Sequence, residues 1–195
     1  MSKKKKIKAI GLIVEDISDY NSFKIIISRV LQKNNLTFKK AIGNGCGKMR
    51  RKALSYADTL SRKGCDLVIL VHDLDRNNLK TLKADLDKLM DKSRVKNKFV
   101  CIPIEEIEGW FLGDPEGIRD AFNLIRTPKI KGRPESVTSP KEKLEDYVYQ
   151  CSNKFKLYLN TQHNELLSNS LDLEKISAKC KSFKNLEEFI KEFDY

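Results

Sequence analysis

The chain has 195 residues, with 38 Lys and Arg against 27 Asp and Glu for a formal charge of +11, and 40% of its residues are apolar. That is enough chain for one domain and enough apolar material for one core, which excludes a collagen-like, low-complexity or disordered polypeptide. No apolar run approaches the roughly 18 residues that span a bilayer. The lysines at 3–6 lead straight into a strand-like run with no cleavage site, so a cytoplasmic, membrane-free location is expected.

Residues 7–14 are almost continuously apolar, the pattern of a strand buried on both faces, and the run stops at Glu15 and Asp16. Ser18 or Asp19 can cap a helix running to about Gln32, with Phe23, Ile26, Ile27, Val30 and Leu31 on one stripe. A short strand is expected over 37–42, followed by a turn holding Gly43, Gly45 and Gly47. Residues 48–63 space Met49, Ala53, Tyr56 and Leu60 by three or four and predict a helix that Gly64 ends. Residues 65–71 form a second buried strand that terminates in His72, Asp73, Leu74 and Asp75. A leucine stripe over 78–92 predicts the next helix. Residues 99–104 predict a fourth strand, with Pro103 pointing to an edge position, and it runs into Glu105, Glu106 and Glu108.

This alternation predicts an α/β fold, a mostly parallel four-stranded sheet flanked by helices, over residues 1–124. Residues 125–140 place Pro128, Pro134 and Pro140 among Lys129, Lys131 and Arg133 and read as a long exposed basic loop. Residues 141–195 read as a helical extension packed on the same domain, closing on the stripe Phe183, Leu186, Phe189, Ile190 and Phe193.

The positive charge is uneven. The first ten residues carry five lysines and no acid, whereas the last 55 carry nine bases against ten acids. Lys39, Lys40, Lys48, Arg50, Arg51 and Lys52 form an acid-free cluster around the glycines at 43–47. Those glycines would let backbone N–H groups approach a phosphate, and the following helix would present its N-terminus. No P-loop spacing can be written through the cluster. Five cysteines, an odd number with no C-x-x-C and no His at ligand spacing, read as reduced thiols used mainly for packing.

Three of the buried strands end in carboxylates. In an open parallel sheet the carboxyl ends share one edge, and ligands bind in the crevice there. Glu15, Asp73 with Asp75, and Glu105, Glu106 and Glu108 are expected to meet at that edge, with Asp73 and Asp75 pointing the same way from an extended segment. Crowded carboxylates do not all stay ionised without a cation, and an all-oxygen set selects Mg²⁺ or Mn²⁺. An acidic hole in a basic protein suits phosphoryl chemistry. His72 is read as a packing residue beside its strand.

Leu12-Ile13-Val14-Glu15 and Val71-His72-Asp73-Leu74-Asp75 together resemble the TOPRIM domain of topoisomerases, primases and OLD-type nucleases. The run from Glu106 through Trp110 to Asp114 resembles the E-I-E-x-W-x-L-x-D signature of small stand-alone TOPRIM-like bacterial proteins, often encoded beside an AAA-type or ABC-type ATPase in phage-defence loci. The glycine turn at 43–47 and Cys180-x-Ser182-Phe183 resemble the same group, whereas Asp16 stands where TOPRIM domains usually carry Gly.

The resemblance implies a Rossmann-like TOPRIM fold and a Mg²⁺-dependent nuclease acting on DNA or RNA. Glu15 would serve as general acid/base or bridge a metal, Asp73 and Asp75 would be catalytic metal ligands, and Glu106 or Glu108 would complete the shell. Lys48 and Arg76 would contact phosphates alongside Arg50 and Arg51, while Lys129, Lys131 and Arg133 would grip the flanking backbone. Trp110 would pack the helix that carries Glu108, the sharper reading being a base stack. The implied partners are nucleic acid, an ATPase, or a second copy of the chain. Two alternatives stand beside this: a non-catalytic TOPRIM-like subunit that binds nucleic acid or docks on an ATPase, and a receiver-like domain with Asp73 as phosphoacceptor. The receiver reading lacks the Ser/Thr and Lys-Pro that its last strands should supply.

Overall fold

The computed structural model describes residues 4–195; Lys3 of the N-terminal lysine run lies outside the described residues. A short β1 (Lys5–Lys6) precedes β2 (Ala9–Val14), every side chain of which is buried. The cap of α1 (Ile17–Leu31) is Asp16, not Ser18 or Asp19. Its carboxylate accepts from the Asp19 N–H at 3.0 Å, and the Asp19 carboxylate accepts from the Asp16 N–H at 3.4 Å, a reciprocal capping box. An acid fits at 16 because φ is −137°, an extended geometry that does not call for glycine. β3 (Thr37–Ile42) follows, and α2 (Cys46–Arg62) starts two residues before its apolar pattern does, with Gly45 at the N-cap.

β4 (Leu67–Val71) is buried throughout, and α3 (Leu79–Met90) is capped by Asn78, whose side chain accepts from the Thr81 N–H. β5 (Asn97–Cys101) lies upstream of the expected 99–104, since Pro103 has no N–H to continue a ladder. The chain then leaves the sheet as α4 (Glu108–Phe111), α5 (Pro115–Phe122), a 3₁₀ turn at Pro134–Ser136, α6 (Pro140–Cys151), α7 (Asn160–Ser170), α8 (Leu173–Lys179) and α9 (Lys181–Ile190). It ends in β6 (Phe193–Asp194), which pairs in parallel with β1, Lys5 opposite Phe193.

The main sheet is parallel in the order β3-β2-β4-β5. Its connections run outward in opposite directions from the central β2–β4 pair, which opens a crevice beyond their C-terminal ends. Because strand side chains alternate, the sheet feeds two cores. Ile13, Val68 and Leu70 pack against Met49, Ala53 and Leu60 of α2 and Leu82 and Leu86 of α3. Leu12, Val14, Ile69 and Val71 pack on the other face against α1 and the later helices, through Phe23, Ile27, Trp110, Leu144, Leu167, Phe183 and Ile190. The later helices are therefore one wall of the core.

Asp114 is buried and helps hold that wall together, accepting from the Asp172 N–H at 2.9 Å and from Lys175 at 3.2 Å. The 125–140 segment departs from a freely exposed loop: Pro128, Pro134 and Pro140 are buried, and Lys129, Lys131 and Arg133 face solvent. Among the described residues no helix is long and apolar enough to cross a membrane.

Candidate functional site

Four loops meet at the C-terminal rim of the sheet. The loop after β3 is tied to the end of β2, with Gly43 N–H donating to the Val14 carbonyl at 2.8 Å and Asn44 N–H to the Glu15 carbonyl at 2.9 Å. The loops after β4 and β5 run side by side: Leu74 N–H donates to the Pro103 carbonyl at 3.1 Å, and Arg76 N–H to the Glu105 carboxylate at 3.0 Å. Left-handed backbone at Asp75 (φ 47°), Arg76 (60°) and Glu105 (61°) turns these loops sharply, conformations that L side chains adopt at a cost. Gly43 is needed for closeness, since a Cβ there would lie 2.4 Å from the Met49 Cβ.

The rim gathers carboxylates. Glu15 Oε2 accepts from the Cys46 thiol at 2.6 Å, and the same sulfur lies 3.4 Å from Asp75 Oδ2, so the first residue of α2 bridges acids from two strand ends. Asp73 and Asp75 do not share the extended alternation that would aim them together. β4 ends at Val71, and the left-handed Asp75 turns outward to an exposed position while Asp73 stays half-buried. Burial, and then the charges of Asp19 and Glu108, push the Asp73 carboxyl well above the ordinary carboxylate range. Burial and Asp16 push Asp19 up to about 7. Burial and Glu108 raise Glu106, whose Oε2 accepts from the Lys141 N–H at 3.3 Å.

Glu108, buried in the first turn of α4, accepts on Oε1 from the Tyr158 hydroxyl at 2.6 Å and the Asn164 amide at 3.3 Å. Burial and that charge raise the Tyr158 phenol. Among the described residues no Lys or Arg side chain forms an ion pair with Glu15, Asp16, Asp19, Asp73, Asp75, Glu105, Glu106 or Glu108; Glu105 and Glu106 take backbone N–H groups instead. The acids repel one another and meet neutral donors.

An all-oxygen, self-repelling set has the donor chemistry of a hard divalent cation site. Among the described residues, however, no three His, Cys, Asp or Glu side chains converge as a preformed ligand group. Mg²⁺ is compatible with that, because it keeps several waters and takes one or two carboxylates together with substrate phosphate oxygens. A cavity of about 220 Å³, lined by Asp75, Arg76, Glu105, Glu106, Ser139 and Glu142 among others, adjoins the acids.

The basic residues divide. Lys48 and Arg51 are exposed on the first turns of α2, whose N-cap Gly45 offers no side-chain acceptor, so the helix presents its first N–H groups at the rim. Arg50 turns away into an ion pair with Asp85 of α3 at 2.6 Å. Arg76 lines the cavity, and Lys129, Lys131 and Arg133 stand on the exposed side of the segment before α6. Trp110 is fully buried between Phe23 and Phe183, at ring distances of 5.4 and 5.2 Å, and its Nε1 donates to Ser182 at 2.7 Å; it packs, and cannot stack on a base. His72 is buried with Nδ1 2.6 Å from the Asp73 carbonyl. All five cysteines are free, and four are buried.

Asp19, Cys46, Tyr158 and Asn164 belong to the site and were not among the candidates read from sequence. Asp19 had a signal, since the first turn of a helix that follows a strand end sits over the rim. Tyr158 had none: it reaches Glu108 from 50 residues downstream. No curated protein and no solved structure matches the chain. Residues 14–191 match DUF4276, described as a domain of unknown function, and the chain belongs to that family.

Proposed function

We propose that this DUF4276 protein is a divalent-cation-dependent phosphodiesterase of the TOPRIM type that cleaves nucleic acid. The observation that carries the reading is a crowd of carboxylates from three strand ends that, among the described residues, forms no ion pair with a Lys or Arg side chain in a chain of charge +11. Mg²⁺ or Mn²⁺ held by Asp73 and Asp75, with Glu15, Glu106 or Glu108 nearby, would supply Lewis acidity and a more acidic bound water. Glu15 takes the role of general acid or base, with the Cys46 thiol holding its carboxylate in place. Lys48, Arg51 and Arg76 neutralise the phosphates beside the scissile one, and Lys129, Lys131 and Arg133 hold backbone further along. Arg50 joins them only by leaving Asp85. A partner ATPase and a part in phage defence rest on the resemblance of the 106–114 run alone.

The test is incubation of the full chain with supercoiled plasmid and with total RNA, each in Mg²⁺, Mn²⁺ or EDTA. Cleavage is expected with a cation and not in EDTA, and Asp73→Asn and Glu15→Gln should each slow it by at least about 100-fold. Cleavage in EDTA, or an unchanged rate in Asp73→Asn, overturns the proposal. A non-catalytic binding subunit is the second reading, favoured by one thiol occupying both Glu15 and Asp75. It predicts nucleic-acid binding with no cleavage in any cation.

A further inference from the structure

An uncovered apolar surface lies on the extended segment between α6 and α7. Phe155 is 88% exposed, Leu157 57% and Leu159 46%, and they alternate with half-buried Lys156 and buried Tyr158, the period of an extended chain. Ile125, 69% exposed, is tied to the end of α6, its N–H donating to the Cys151 carbonyl at 3.0 Å. The Arg126 guanidinium donates to the Gln150 carbonyl at 3.1 Å, and the Lys156 ammonium reaches back to the Phe122 carbonyl. Two stretches of chain are thus laced together, and neither contains an acid. Residues 121–134 carry Arg126, Lys129, Lys131 and Arg133, and residues 147–164 carry Lys154 and Lys156.

An apolar stripe alone fits many partners. Two stretches that carry cations and no acid, together with an open aromatic ring, select a polyanion that has flat faces to offer. A duplex keeps its base faces stacked inside, whereas a single strand presents them. We propose that this surface binds single-stranded nucleic acid, with Phe155 stacked on an unpaired base and Arg126 and Lys154 on the adjoining phosphates. The same segment reaches the acids, since Tyr158, about 10 Å further along an extended chain, donates to Glu108. The inference takes its substrate from the nuclease reading but is tested without it.

Labelled oligothymidylate, oligouridylate and a duplex of equal length are titrated with the full chain in EDTA, read by fluorescence anisotropy. Single strands should bind more tightly than the duplex. Phe155→Ala should weaken single-strand binding by about 5- to 150-fold, the loss of one base stack, leave duplex binding unchanged, and be rescued by Phe155→Trp. Equal affinities for single strand and duplex, or wild-type binding by Phe155→Ala, overturns the proposal. So does a drop from dimer to monomer in sedimentation of Phe155→Ala with nucleic-acid binding intact, which assigns the surface to a second copy. The expected binding pattern without cleavage in any cation supports this inference and removes only the nuclease reading.

Discussion

Asp19 keeps its proton to about pH 7 because it is buried among other acids. An unfolded carboxyl titrates near 3.9, so between about pH 4 and 7 the native chain holds a proton that the unfolded chain has lost. Stability therefore falls as pH rises through that window and is level above it. Asp19→Asn removes the penalty and keeps an oxygen for the Asp16 N–H. Its Tm should exceed wild type by a few degrees at pH 8 and converge with it near pH 4, as scanning fluorimetry at both pH values would record. Added Mg²⁺ at pH 8 should raise the wild-type Tm and do less for the variant. Tyr158→Phe takes a donor from buried Glu108, a loss of about 1–3 kcal/mol, which urea unfolding would measure. The strand-end acids were legible in the sequence because each follows an apolar run. The Glu108 pocket was not, because its donors come from far downstream, Tyr158 on the segment before α7 and Asn164 on α7 itself.

The loop that leads into α2 is tuned by glycines with different work to do. Gly43→Ala forces a Cβ against Met49 and should cost about 1–3 kcal/mol. At Gly47 a Cβ would meet only the end of the Arg51 side chain, at an ordinary 3.7 Å, so Gly47→Ala should be neutral or gain up to about 1 kcal/mol of helix propensity. Denaturant midpoints of the two variants would separate these effects. β2 and β4 were readable because central parallel strands are apolar on both faces. β5 slipped because its edge position leaves only part of it apolar: Asn97 and Lys98 are strand residues that look like loop. The left-handed turns at Asp75, Arg76 and Glu105 carry no sequence signal, since such side chains ordinarily avoid that conformation.

At the scale of the molecule, the helices after β5 share one face of the sheet with α1, although the sequence presents them as an addition to a domain already complete. A chain ending at Ser139 would strip Leu144, Val148, Leu167, Phe183 and Ile190 from the core on this face and should lose its cooperative thermal transition, binding a hydrophobic dye instead. The amphipathic stripe of α9 was visible; which surface it covers depends on chirality and packing that no periodicity encodes. The clasp of β1 on β6 has its own consequence. Lys5 and Phe193 are register partners at the pole where the long strands begin, so head and tail emerge together on the side away from the carboxylates. A purification tag or fused cargo at either terminus would leave the crevice unobstructed. The same adjacency makes the chain suited to circular permutation, with a short glycine tether joining the ends and a new opening at exposed Gly132.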